Sequence, residues 1–276
     1  MQMKEIGLEE MKVVQMDILS AMQRFFTEHD MKYSLACGSM LGCARHKGYI
    51  PWDDDIDIYL LRKDYDRLVK EFPDTYEGMY KLATLEREHS YCLLYGKAYD
   101  TRTILREPGQ KMPDLGINID IFPVDNVPEY GEEWLKYDIK RRKWIELCSI
   151  RCDRKYKIFK YHRERTPIQN VYATILKIAL PLIPLKPFIK FIQRCIVKKY
   201  DKRETGYVFE CVQGMFQKRP FRKSLFDNIV PMPFEDRTYM AFADYDDYLT
   251  NGFGDWQQLP PVEKRVTHHS FKAWWK

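Results

Sequence analysis

Apolar residues in the first thirty positions recur at helical spacing. Leu8, Met11, Val14, Ile18, Leu19, Met22, Phe25 and Phe26 form one stripe, which predicts an amphipathic helix over about 8–29 laid on a core. A short strand is expected over 32–36. Gly38-Ser39 then opens a second helix over about 40–45, with Ser39 near the N-cap place. Pro51 closes the following loop, and the alternation of Ile56, Ile58 and Leu60 predicts a strand over 56–60. A helix over 62–72 stops at Pro73. Further strands are expected over 79–84, 91–99 and 117–122. In the last, Asn118, Asp120 and Phe122 share a face opposite Ile117, Ile119 and Ile121.

The pattern changes at residue 132. Up to about 165 the chain is dense in Lys and Arg, interleaved with Trp134, Tyr137, Trp144, Tyr156, Phe159 and Tyr161. A solvated helical face and contact with an anionic partner both fit this stretch. Over 171–200, apolar residues are interrupted by Lys177, Lys186 and Lys190 and by Pro181, Pro184 and Pro187. The uncharged run 178–185 is far too short to span a bilayer, which takes about 20 residues. It fits a helical pair packed on the core, or an amphipathic element resting in a membrane interface. Near the C-terminus a helix is expected over 244–250, followed by a loop rich in Gly and Pro.

Composition narrows the class. At 276 residues the chain suits one large domain, or a core with a substantial insertion. With 45% hydrophobic and 31% charged residues it reads as a soluble globular protein and not a disordered one. A net charge of +5 and a pI of about 8.6 allow anionic substrates or membrane surfaces without selecting either. Seven irregularly spaced cysteines and no CxxC pair read as free thiols in a reducing compartment. The start, Met1-Gln2-Met3-Lys4-Glu5, lacks the basic-then-apolar pattern of a signal peptide. The expectation is a cytoplasmic protein, with room for peripheral contact at the cytoplasmic membrane face.

The chemistry concentrates in Asp53-Asp54-Asp55-Ile56-Asp57. On a strand, Asp53, Asp55 and Asp57 would line one face, while Asp54, Ile56 and Ile58 take the other. Carboxylates that close raise each other's pKa unless something positive sits among them. Mg²⁺ or Mn²⁺, with phosphates completing the shell, is the usual answer. A calcium loop starting at Asp53 fails because its sixth place, where the turn needs glycine, is Ile58. A solvated acidic turn fits poorly with the buried alternation around it. The constellation expected to form a site therefore joins Gly38-Ser39, the acidic strand and Asp120. The glycine would let backbone N–H groups approach a phosphate. Asp55 and Asp57 would bridge one or two ions. Asp120 would add a ligand or take a proton from an attacking hydroxyl.

Other candidates carry two readings each. Arg45 and Lys97 could neutralise a phosphate or serve the fold alone. Trp52 could pack beneath the acidic loop or stack on a base. Lys264, Arg265 and His268 could close over the site or form a solvated basic tail. Trp256, Trp274 and Trp275 could form an aromatic cage for a quaternary ammonium, if the fold brings them together.

Taken together, Gly38-Ser39-Met40-Leu41-Gly42, Arg45, Ile50-Pro51-Trp52-Asp53-Asp54-Asp55-Ile56-Asp57 and Ile119-Asp120-Ile121-Phe122-Pro123-Val124-Asp125 resemble the LicD family, phosphotransferases related to fukutin. Tyr248-Leu249, Gly252-Phe253-Gly254-Asp255-Trp256, Leu259-Pro260-Pro261, Lys264-Arg265 and His268 resemble its C-terminal segment. Residues 130–215 match only in general character. The resemblance implies a mixed α/β, nucleotidyltransferase-like core over 1–130, a basic helical insertion over 131–215, and a segment over 216–276 completing the core. It implies a CDP-linked alcohol as donor, above all CDP-choline. The acceptor would be a hydroxyl of a cell-surface glycan, teichoic-acid-type or lipid-linked saccharide precursor, and CMP would leave. Asp53, Asp55, Asp57 and Asp120 would hold the metal. A nucleotidyltransferase acting on a small molecule, and a non-catalytic membrane-associated binding protein, remain the rival readings. Nucleic acid is not an expected partner.

Overall fold

The computed structural model describes residues 3–106, 115–152, 174–176, 178–213, 216–267 and 271–276. In chain order these form β1 (Glu5–Ile6), α1 (Leu8–Glu28), β2 (Tyr33–Leu35), α2 (Cys37–His46), β3 (Asp57–Leu61), α3 (Arg62–Glu71), β4 (Tyr80–Ala83), β5 (Gly96–Asp100), β6 (Thr103–Arg106) and β7 (Asn118–Val127). Beyond them come α4 (Glu132–Cys152), α5 (Leu185–Cys195), β8 (Tyr207–Phe209), β9 (Phe221–Arg222), β10 (Ile229–Phe234), β11 (Arg237–Phe242), α6 (Tyr245–Phe253) and β12 (Lys272–Trp275).

The central sheet is mixed, with β3 and β7 parallel and their other neighbours antiparallel, in the order β2-β3-β7-β5-β4. The far half of β7 pairs with β8, which in turn pairs with β9. The β10–β11 hairpin rests on β2, where the Phe242 N–H donates to Ser34 Oγ at 3.1 Å. β12 lies between β1 and β6 and so ties both ends of the described chain to the core. The fold is α/β with a mixed sheet, as the sequence led one to expect.

Helix α1 buries the predicted stripe from Met11 to Phe26, while Leu8 at its start stays exposed. The apolar run 91–99 becomes a strand only from Gly96. Tyr91, Cys92, Leu94 and Tyr95 are buried in irregular backbone, because a short apolar run signals burial and not a particular periodicity. β7 continues past the expected end at 122, through Pro123. The last β5 pair is Gly96 with Ile121 and the first β8 pair is Asp125 with Phe209, so the proline falls where no antiparallel partner calls on its missing N–H. Within the basic stretch, α4 turns Trp134, Tyr137 and Arg141 inward, with the Trp134 ring 4.7 Å from that of Phe209 on β8. No helix among the described residues is long and apolar enough to cross a membrane.

At the start of α3, Arg62 Nε and Nη2 donate to the two carboxylate oxygens of Asp125 on β7, at 2.7 and 2.9 Å. Both residues are buried. Burial pushes the Asp125 carboxyl upward in pKa while the guanidinium pulls it back. Removing one partner of such a pair strands a charge in the core. Asp125→Ala is therefore expected to cost about 3–5 kcal/mol in urea unfolding, and wild-type stability would show that the pair does not hold α3 to the sheet.

Candidate active site

Three neighbouring strands bring three charged residues into one row. Asp57 on β3 stands beside Asp120 on β7, and Asp120 stands beside Lys97 on β5. Lys97 Nζ donates to the Asp120 carboxylate and, at 3.0 Å, to Asn118 Oδ1. Its ammonium is thus placed among the acids.

Asp53 and Asp55 are not on the strand face. β3 begins only at Asp57, because a turn in which the Asp53 N–H donates to the Ile50 carbonyl at 2.8 Å precedes it. In this loop Asp53, Asp54 and Asp55 each have a carboxylate oxygen within 4.8 Å of the others, near enough to share one ion. Asp54, expected to point away, therefore joins the cluster. Gln15 supports the loop from α1, donating to the Asp54 carbonyl at 2.9 Å and accepting from the Tyr49 hydroxyl at 3.0 Å. A polar residue within the apolar stripe of α1 was the signal for it.

Gly38 and Ser39 act differently from the turn expected of them. α2 begins at Cys37 with Ala36 at the N-cap, so Ser39 lies inside the first turn. Its buried hydroxyl accepts the Asp57 N–H at 2.9 Å and fixes where β3 starts. A Cβ on Gly38 would come within 2.6 Å of Asp53 Oδ2, so the glycine makes room for that carboxylate. Cys37, the first residue of α2, is held at φ 47°, a left-handed conformation uncommon for a residue with a side chain. Its N–H donates to the Tyr248 hydroxyl of α6 at 3.0 Å.

The acids open onto a cleft of about 1280 Å³ and a smaller pocket of about 220 Å³, with Asp55, Asp57, Phe122 and Gln213 lining both. Lys97, Asn118 and Asp120 line the small pocket only. Arg45 lines the cleft and donates to the carbonyls of Trp256 and Gln258 at 2.6 and 3.3 Å, anchoring the C-terminal loop. Burial and the nearby Arg265 guanidinium lower its pKa. Arg265 stands 5.6 Å over the Trp52 ring, and Lys264 also lines the cleft. His268 lies outside the described residues. Trp256 reaches the cleft, but Trp274 and Trp275 sit on β12 over Arg106 and Arg102, so the three do not make one cage. Glu210, Gln213 and Phe216, which had no signal in the sequence, complete the wall with Phe253 of the C-terminal motif.

Crowding raises the pKa of these acids. Burial first, then the Asp55 charge, pushes Asp53 up to about 8. Burial, then Asp55, Asp120 and Asp53, raises Asp57 well above the ordinary range, and Lys97 opposes the shift. Between the ordinary 3.8 and about 8, native Asp53 keeps a proton that the unfolded chain has lost, so stability falls as pH rises through that window. In EDTA, the Asp53 carboxyl is expected to titrate by ¹³C NMR near pH 8, with the melting temperature dropping across the same range. A midpoint near 4 and a flat melting curve would contradict the crowding.

The family model for the "LicD/FKTN/FKRP, nucleotidyltransferase domain" matches residues 30–149, which contain all five aspartates described above. The chain is 31% identical over 276 residues to lipopolysaccharide cholinephosphotransferase LicD of Haemophilus influenzae, covering 99% of each chain. A shorter match, 35% identical over 66 residues and 24% of each chain, joins it to Uncharacterized protein RP689 of Rickettsia prowazekii. On the strength of the end-to-end relationship, the chain belongs to the LicD family.

Proposed function

We propose that the protein transfers phosphocholine from CDP-choline to a hydroxyl of a cell-surface saccharide, with Mg²⁺ or Mn²⁺ bound at the aspartate cluster. The observation that carries this reading is the set of half-buried aspartates gathered at the junction of a large cleft and a small polar pocket. A relative that matches over 99% of its length and is named a lipopolysaccharide cholinephosphotransferase supports the choice of alcohol and acceptor class. The donor set fits a hard divalent cation, being all carboxylate oxygen and carrying raised pKa values that a cation would relieve. Asp53, Asp54 and Asp55, whose carboxylate oxygens lie within 4.8 Å of one another, would hold it, with Asp57 and Asp120 adding to the set. When bound, the ion neutralises charge on the phosphates and on the departing CMP.

The chain's own groups do the rest. Arg45, Lys264 and Arg265 line the cleft and face the donor's phosphates. Asp120, oriented by Lys97, accepts the proton of the acceptor hydroxyl. The acceptor oxygen bonds to the phosphorus bearing choline, the bond from that phosphorus to the CMP oxygen breaks, and CMP leaves. In-line displacement of this kind depends chiefly on positioning and on neutralising charge.

Asp55→Asn and Asp57→Asn are each expected to lower turnover of CDP-choline by about a hundredfold or more, the scale of losing a charge-stabilising group, with unchanged circular dichroism. Mg²⁺ should raise the melting temperature of the wild type most at high pH, where the acids are ionised, and leave Asp55→Asn unmoved. Chromatography of the products separates the readings. CMP from CDP-choline supports the proposal, whereas pyrophosphate released from CTP would make the protein a nucleotidyltransferase.

A further inference from the structure

Away from the cleft, the structure exposes a group of large apolar side chains on consecutive elements. Ile175 is 56% exposed, Ile178 67%, Leu182 82% and Phe191 51%. Phe191 lies on the outer face of α5 between the exposed Lys190 and Arg194, and its ring packs 5.6 Å from that of Trp144 on α4. The inner face of α5 is spent on the core through Phe188, Ile189 and Ile192, so the outer residues are not needed to hold the helix. Single exposed apolar residues call for no explanation, but several together beside cations do.

Charge indicates what covers them. Over 171–200 the sequence has six Lys or Arg and no Asp or Glu, although the whole chain carries only +5. Beside the start of α5 lies a pocket of about 460 Å³ lined by His89, Arg151 and Lys186, with Cys92, Ser90 and Leu185 among the other walls. No carboxylate is among its described lining residues. Exposed apolar residues, exposed cations and part of the wall of a basic pocket large enough for a phosphate group thus fall within one short stretch of chain, 175–194. A protein partner would be expected to meet cations with its own carboxylates over a shaped surface. A lipid surface needs only apolar depth for the exposed side chains and phosphate for the cations.

We propose that this region docks on an anionic phospholipid bilayer. Ile178 and Leu182 enter the headgroup–acyl boundary, Lys190 and Arg194 lie over the lipid phosphates, and one headgroup phosphate occupies the His89–Arg151–Lys186 pocket. The proposal does not depend on the reaction assigned to the cleft, since lipid binding is read without turnover.

The test is co-sedimentation of the full chain with vesicles of phosphatidylcholine alone, or with about 30% phosphatidylglycerol, at low and high salt. Binding is expected to the anionic vesicles only and to weaken at high salt. Leu182→Glu and Lys190→Glu should each weaken it about tenfold, more than the roughly fivefold expected for a single neutralised cation. Both side chains are exposed, so unchanged melting temperatures will show that the variants fold. Equal binding to neutral vesicles, no binding to either, or indifference to both variants would overturn the proposal. A thermal shift with glycerol phosphate that Lys186→Glu abolishes, in a protein that ignores vesicles, would assign the pocket to a soluble phosphate ester instead.

Discussion

The mutual repulsion of Asp53, Asp55, Asp57 and Asp120 is the constraint to which the surrounding structure answers. Three of these carboxylates line the cleft and Asp120 the small pocket beside it, and burial sharpens the repulsion among them. Groups outside the cluster fix much of it. Ser39 holds the Asp57 backbone, the missing side chain of Gly38 admits Asp53, Gln15 braces the Asp54 carbonyl, and Lys97 holds Asp120. Such an arrangement holds electrostatic strain in the folded protein, as functional sites often do.

The walls of the cleft come from the far end of the chain. Arg45 on α2 binds the carbonyls of Trp256 and Gln258, and Tyr248 on α6 binds the backbone of Cys37. These contacts couple the glycine-containing helix to the C-terminal loop, so the basic residues of that loop meet the acids across the cleft. The resulting cleft has carboxylates and guanidinium groups on facing parts of its lining.

The stretch from α4 to α5 divides its work by face. Trp134, Tyr137 and Arg141 on α4, with Phe188 and Ile192 on α5, pack on the core and hold β8 against β7. Their outer faces carry the cations and the exposed apolar residues. The sequence left open whether this stretch packs on the core or meets an anionic surface, and the described residues are arranged so that the inner face does the first while the outer face is free for the second.

Much of this was legible in the chain. The stripe of α1, the strands carrying Asp57 and Asp120, and the identity of the acids follow from periodicity and charge, both local properties written in consecutive residues. The short strands β8, β9 and β12 and the continuation of β7 through Pro123 were not legible, because they exist only through partners distant in sequence. The same holds within the site. That carboxylates would crowd one another could be read from their spacing. That Asp54 turns toward them, that Ser39 serves β3 and not a helix cap, and that Lys97 is bound to Asp120 depended on a loop and a strand register. Sequence alone determined the chemistry available to this protein, since side-chain type fixes charge and hydrogen-bonding capacity. Tertiary structure decided which groups meet, because the distances over which carboxylates repel and ammonium groups pair are set by long-range packing.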